Sequence, residues 1–512
     1  MIKKVTHTEE PQQVAPVAQR VSSGVAGLDE ILKGGLTPDR IYLLEGNPGT
    51  GKTTLALGFM LQGAKLGEKC LYITLSETAE ELRAIARSHG WSLDQIEIFE
   101  LTPPEAKLDS DQNYTLLHPS EVELSETTRL ILNRIEALNP ERVAFDSLSE
   151  IRLIAQDPLR YRRQVLALKQ FFSGRRCTAL LLDDLTSESH ELQVHSITHG
   201  VIVLERITRE YGAERRRLQI TKMRGSEFRG GFHDFVIQKG GLAVFPRLIL
   251  LDSEESGVGE LVSSGIPEMD KLLCNGVNRG TSMLLVGPAG AGKSSLATQY
   301  ALAALQRGES AAIYTFDEGR GTLLERSEGL GMNLRPFLKT GQLTIDQVNA
   351  AELSPGNFAH RVRERVEHNF RGVVVIDSLN SYMNAMPAEQ FLVMQMHELL
   401  AFLNQQGVLS ILVMAQHGLL GHMTSPVDLS YLTDTVVLLR YFEFEGAVHK
   451  AISVIKKRSG AHEGMIREFR MGDQGVSLGP ALSNFHGVLT GVPTYTGKSD
   501  QLFSKDGHGR AE

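Results

Sequence analysis

One pattern governs any reading of this 512-residue chain: a glycine-rich loop ending in Gly-Lys-Thr/Ser occurs twice, each time inside a longer repeat. The first copy runs Gly46-Asn47-Pro48-Gly49-Thr50-Gly51-Lys52-Thr53, the second Gly287-Pro288-Ala289-Gly290-Ala291-Gly292-Lys293-Ser294. The two lysines stand 241 residues apart, as do Asp29 and Asp270, Glu77 and Glu318, and the glycines of the Val-Ser-Ser-Gly that opens each copy, Gly24 and Gly265. Phe145-Asp146-Ser147-Leu148 answers Ile376-Asp377-Ser378-Leu379 at a spacing of 231, and Lys222-Met223-Arg224 answers Lys456-Lys457-Arg458 at 234. A repeat that drifts this little implies two homologous domains with short loop insertions. The boundaries it predicts are 20–248 and 261–496, with a linker over 249–260. Polar tails at 1–19 and 497–512, without apolar periodicity, are expected to be mobile in isolation.

Within each half the pattern alternates strand, turn and helix. In the first, apolar runs predict strands at 40–44, 70–75, 142–145, 178–182 and 201–204, and a helix at 55–66. This alternation predicts an α/β fold: two tandem P-loop NTPase domains, each a mostly parallel sheet flanked by helices. Ligands of such sheets bind beyond the carboxyl ends of the strands, where the loop, aspartate and glutamate motifs fall.

The chemistry follows from the residue types. Gly46, Gly49 and Gly51, like Gly287, Gly290 and Gly292, let the backbone turn tightly enough for successive N–H groups to face phosphate oxygens, with Thr50 or Ala291 between them. Lys52 and Lys293 are placed to reach the β- and γ-phosphates, and Thr53 and Ser294 to put a hydroxyl on Mg²⁺. Thr54 and Ser295 open the helix whose positive end adds to the site. Asp146 and Asp377 end apolar strands and read as the second magnesium ligands, against the alternative of a turn residue or cap. Glu77 in the first half, and Asp317 with Glu318 in the second, are candidates to orient or deprotonate the attacking water or hydroxyl; the alternative is helix capping. The cations Lys222/Arg224 and Lys456/Arg458 lie on late strands. They read as fingers acting on another subunit's γ-phosphate, or else as charge guarding an exposed edge strand.

In this order the motifs resemble the KaiC family of double-domain ATPases, within the RecA-like group, from about Val21 to Tyr495. The resemblance rests on Val-Ser-Ser-Gly before each P-loop, Ser76-Glu77-Thr78, the two Asp-Ser-Leu strands, and residues 211–225, 432–446 and 466–469. It implies a homohexamer of two stacked rings with ATP between adjacent subunits. It also implies slow hydrolysis in the first half, and autokinase and autophosphatase activity in the second. The implied phosphate acceptors are Ser430 and the neighbouring Tyr431, with Ser425 five residues before the serine. Residue matching adds Ser88, Lys222, Met223, Arg224, Lys456, Lys457, Arg458 and His462 as nucleotide contacts, and the family implies a KaiB-like or other signalling partner. This chain departs from the family pattern in three places. Tyr431 replaces a threonine. The paired glutamates become Ser76-Glu77 and Asp317-Glu318, removing the family's base position from the first half. The tail after Tyr495 has little likeness to the family's regulatory tail.

Composition narrows the alternatives. Net charge is −8 and the pI near 6.1. The one basic cluster, Arg215 to Arg217 with Arg206 and Arg209, is diluted by Glu205, Glu210 and Glu214, so a nucleic-acid footprint is not expected. Three distant cysteines argue against disulfides or zinc. No signal peptide and no membrane-length apolar run is visible, which places the expected chain in the cytoplasm. Two other functions use the same fold: a RecA/RadA-like nucleic-acid-dependent ATPase, and a non-catalytic scaffold assembled by ATP.

Overall fold

The computed structural model describes residues 19–101, 119–185, 191–208, 212–248, 259–349, 351–367, 370–384, 391–416, 431–488 and 494–496. Nearly all of both expected tails, and most of the expected linker, lie outside these residues. The chain divides into two compact units that change over between Arg247 and Leu248.

The first unit is built on nine strands: β1 (Ile41–Gly46), β2 (Cys70–Thr74), β3 (Glu97–Glu100), β4 (Arg142–Asp146), β5 (Thr178–Asp184), β6 (Gly200–Ile207), β7 (Arg215–Met223), β8 (Phe232–Gln238) and β9 (Gly241–Phe245). They lie in the order β3-β2-β4-β5-β1-β6-β7-β8-β9. β3 through β6 run parallel, and β7, β8 and β9 extend the sheet antiparallel. In the second unit the short pair β10 (Leu261–Val262) and β11 (Val277–Asn278) precedes the same design. There β12 (Ser282–Gly287), β13 (Ser310–Thr315), β14 (Leu343–Gln347), β15 (Gly372–Asp377), β16 (Leu409–Ala415), β17 (Thr435–Phe444), β18 (Ala447–Lys457), β19 (Arg467–Gly472) and β20 (Gly475–Ala481) lie in the order β14-β13-β15-β16-β12-β17-β18-β19-β20.

The central strands are mostly apolar because helices cover both faces. Every residue of β1 and of β12 is buried. Alternate side chains feed two separate apolar layers. Leu43, Leu71, Ile73, Val143 and Leu181 pack on one face of the first sheet, and Tyr42, Leu44, Tyr72, Ala144 and Leu180 on the other. Burying each of the leucine, isoleucine and valine side chains stabilises by about 1.5–3 kcal/mol, which fixes the strand ends that carry the site.

The structure lengthens several predicted elements. The helix after the first loop is Lys52–Lys65, starting three residues earlier than its apolar run, because Gly51 at φ 105° turns the loop straight into it. β5 continues past its apolar run to Asp184, and β6 begins at Gly200 and runs on to Ile207. The guarded-edge reading of the late cations is corrected: β7 lies between β6 and β8, and β18 between β17 and β19, so neither is an edge strand.

Arg142 ties the site's two main supports together. It starts β4, the strand that ends in Asp146, and is 1% exposed. Its guanidinium donates to the Phe59 carbonyl on the Lys52–Lys65 helix at 2.9 Å and to the Ser22 carbonyl at 2.8 Å. It also pairs with Glu68 and stacks 4.6 Å from the Phe59 ring centroid. Removing it strands a buried carbonyl, a part-buried carbonyl and a carboxylate, so Arg142→Ala should destabilise the first unit by about 3 kcal/mol. Urea unfolding followed by Trp91 fluorescence measures this, since Trp91 is the chain's one tryptophan.

Candidate active sites

Both loops join a buried central strand to a helix. Gly49 and Gly51 hold φ 77° and 105°, and Gly290 and Gly292 hold 75° and 103°, a left-handed backbone that side chains resist. Gly46 is closed in another way: a Cβ there would lie 2.6 Å from the Leu204 carbonyl oxygen, and one at Gly287 2.4 Å from that of Leu439. Thr50 is buried and its hydroxyl donates to the Asn47 carbonyl at 2.8 Å, bracing the turn; Ala291 is equally buried. The lysines fold back over their loops. Lys52 Nζ donates to the Gly46 carbonyl at 2.7 Å and Lys293 Nζ to those of Gly287 and Pro288 at 2.8 and 2.7 Å.

At the carboxyl edge of each sheet the predicted partners converge. Thr53 Oγ1 donates to Asp146 Oδ2 at 3.3 Å, and the Ser294 hydroxyl bonds to Asp377. Burial raises both aspartates above the ordinary carboxylate range. Hydroxyl and carboxylate oxygens are the hard donors that magnesium takes, and each pair fits such an ion. Thr53 with Asp146, and Ser294 with Asp377, would hold it, and the ion would supply positive charge beside the phosphates. In the second unit Lys293, Ser294, Ser295, Asp317, Glu318 and Asp377 line one cavity of about 580 Å³. Burial lowers the Lys293 ammonium to about 8, with Asp377 opposing.

The acidic residues after the second strand separate the two units. Glu77 does not cap a helix: Thr78 and Glu81 form a capping box of their own. Glu77 Oε2 is buried without a hydrogen-bond partner among the described residues. Burial, then the charges of Asp146 and Glu81, push its carboxyl up to about 7, with Lys52 opposing. Glu318, its counterpart, is gripped by Arg326, whose Nε and Nη2 each donate at 2.9 Å while Nη1 reaches Ser295 Oγ at 3.1 Å. Ile85 stands where Arg326 would fall in the first unit. Asp317 is exposed and accepts from the hydroxyls of Ser378, at 2.6 Å, and Ser381.

The late cations lie elsewhere. Lys222 and Met223 pair with Val201 and Gly200 at the start of β6, and Lys456 and Lys457 with Val436 and Thr435 at the start of β17. That edge of the sheet is opposite the loop of the same unit, a strand length or roughly 20 Å away. Lys222 donates to the Thr198 carbonyl at 2.7 Å, Arg224 to Ser196 at 2.8 Å, Lys456 to Thr433 at 2.7 Å and Lys457 to Leu273 at 2.6 Å. His462 lies in the loop between β18 and β19, beyond Arg458. Ser88 ends the helix Ala79–Ser88 with its hydroxyl on the Ile85 carbonyl, away from the P-loop among the described residues. Tyr431 is exposed and its carbonyl accepts from Arg458 at 2.6 Å. Ser425 and Ser430 lie outside the described residues.

Three contacts were not anticipated. Tyr72 donates to Asp146 at 2.6 Å, Arg326 clamps Glu318, and Asp184 pairs with Lys52 at 2.8 Å. The Asp183-Asp184 pair ending an apolar run was visible in the sequence, but not its position beside the loop strand. The three consecutive arginines of the basic cluster are paired within the unit; Arg209 lies outside the described residues. Arg215 is buried against Asp234 at 2.9 Å, Arg216 pairs with Glu214, and Arg217 pairs with Glu205 and stacks on Phe232.

A phosphate-shaped loop, its lysine, a hydroxyl and a strand-end carboxylate, repeated on two parallel sheets, define a tandem P-loop ATPase of RecA-like topology. Residues 21–249 and 262–483 both match the family described as "ATPase: KaiC". The chain belongs to the KaiC ATPase family. The circadian clock protein KaiC3 of Synechocystis sp. is 26% identical over 492 residues, covering 94% of this chain and 96% of its own. The circadian clock oscillator protein KaiC of Synechococcus elongatus is 26% identical over 482 residues (92% and 91% covered), and that of a Picosynechococcus species 24% over 485 (93% and 92%). Among the described residues no helix is long and apolar enough to cross a membrane.

The raised Glu77 carboxyl has a testable sign. It is mostly neutral in both folded and unfolded chains at pH 4. Between about 4.5 and 7 the unfolded chain loses the proton first, so rising pH costs the folded state stability. In the nucleotide-free protein Glu77→Gln should therefore match the wild type at pH 4 and exceed it in stability at pH 8. Urea midpoints across that range check the shift; equal midpoints at pH 8 would refute it.

Proposed function

We propose that this KaiC-family ATPase works as a ring: each cradle binds magnesium-ATP and the next copy completes the site.

 The single observation behind this reading is that in both units the late cations sit on the sheet edge opposite their own P-loop. Lys222 and Arg224, like Lys456 and Arg458, are too far to serve the loop of the same unit, so their chemistry needs another copy's nucleotide. A homohexamer of stacked rings, as the resemblance implies, satisfies that need at every interface.

In the first unit Glu77 takes the part of general base toward the attacking water, since Ser76 offers no carboxylate. Its proton affinity near neutrality suits that task. In the second unit Arg326 occupies Glu318, and the exposed Asp317 is the carboxylate left to receive the proton of an acceptor hydroxyl. The acceptors are Ser430 first, then Ser425 and Tyr431, which makes the second unit a serine autokinase. Arg458, on the Tyr431 carbonyl, links that segment to the finger position. A role in signalling or circadian-type timing, with a KaiB-like or other signalling partner, follows the clock relatives. The internal pairing of Arg215, Arg216 and Arg217 counts against a nucleic-acid motor.

Two experiments test the reading. Gel filtration with and without magnesium-ATP should show a hexamer that needs nucleotide, and labelled ATP should place phosphate on Ser430; a saturated monomer, or unlabelled Ser425 and Ser430, would overturn the corresponding half. In addition, Lys222→Ala/Arg224→Ala should slow first-unit hydrolysis by about 1000-fold. Mixing that chain with Lys52→Ala chains should restore part of the rate, because each then supplies what its neighbour lacks.

A further inference from the structure

The two P-loop lysines occupy equivalent positions, yet the chain surrounds them differently. Lys52 Nζ lies 2.8 Å from Asp184 Oδ1. Asp184 ends β5 directly across the sheet from Gly46, and its N–H donates to Ser149 Oγ at 3.0 Å. In the second unit the residue across from Gly287 is Ala415, and Lys293 donates only to loop carbonyls among the described residues. Ala415 lines the same cavity as Lys293, Ser294 and Asp377. The first cradle thus has Asp184 as well as Asp146 and Glu77 around Lys52 and Thr53, and Asp184 is close enough for its charge to act on Asp146.

We propose that Asp184 makes the first cradle selective for magnesium-complexed nucleotide over free nucleotide, a filter that the second cradle lacks. This rests on the reading that both cradles bind ATP. A triphosphate that reaches Lys52 has to displace Asp184 from the ammonium. Free ATP brings dense negative charge and no cation, so the displaced carboxylate is left facing phosphate with Asp146 and Glu77 beside it. The magnesium complex brings its own positive charge, and the water around that ion offers hydrogen bonds to the released Asp184. Exchange of one anion for another is then close to neutral in charge for the complex and repulsive for the free form. At Lys293 an entering phosphate displaces only carbonyl hydrogen bonds, so the two forms are separated less.

The test is equilibrium dialysis of radiolabelled ATP against the full chain, in EDTA and in excess magnesium chloride. Lys293→Ala reports the first cradle and Lys52→Ala the second. The ratio of the two affinities should be larger in the Lys293→Ala chain. Adding Asp184→Asn should shrink that ratio by about tenfold, chiefly through tighter binding in EDTA. Adding Ala415→Asp to the Lys52→Ala chain should widen its ratio, and this arm decides the matter if the Asp184→Asn chain does not fold. Ratios that the substitutions leave unchanged, in chains that still bind magnesium-ATP, overturn the proposal alone. A Lys293→Ala chain that binds neither form overturns the underlying reading of the first cradle as well.

Discussion

A positive charge has to be held at the mouth of a buried strand, and the rest of each unit is arranged around that requirement. Burial opposes an ammonium group, so every P-loop lysine needs oxygen close by. Loop carbonyls supply it in both units, because the left-handed glycines turn them back toward the side chain. Among the described residues only the first unit adds a carboxylate in direct contact, Asp184. In the second, Lys293 bonds to carbonyls among the described residues, and burial lowers its ammonium to about 8 against the more distant charge of Asp377.

The same backbone therefore supports two different electrostatic settings. The strand order is repeated without change, and the hydroxyl–aspartate pair recurs at the carboxyl edge of each sheet. What differs is which charges are paired. Among the described residues, the lysine of the first unit is ion-paired and the glutamate at position 77 is not; in the second the glutamate at position 318 is ion-paired and the lysine is not. Tyr72, which bonds to Asp146, adds to the contrast, because Ile313 stands 241 residues on. These differences lie on the strands that reach the site and on the helix that follows, and the strand order is the same in both units.

Much of this was legible in the sequence, and for physical reasons. A P-loop is a local device: its glycines, lysine and hydroxyl are contiguous, so their roles can be read together. Asp146 and Asp377 were readable because each ends an apolar run at a fixed place in a repeat. Contacts across the sheet were not. Asp184 meets Lys52 only because β5 lies beside β1, an adjacency between strands well separated in the chain. Likewise, nothing in the run from Arg215 to Met223 indicates that another strand covers its far side. The Arg326 clamp was within reach, since comparing the two copies shows arginine against Ile85, but its partner depended on the helix turning that face toward Glu318.

The borders of the first sheet have a consequence of their own. At one end stands β3, four residues long with a glutamate at each terminus, and Glu97 is paired with Arg134. At the other, the helix Ala26–Ile31 presses Gly27 so close to β9 that a Cβ there would sit 2.0 Å from the Val244 carbonyl oxygen. One border is too short and too acidic to template a foreign strand, and the other is roofed over. Growth by hydrogen-bonded sheet extension, the route to fibrils and runaway polymers, is disfavoured at both sides of this sheet.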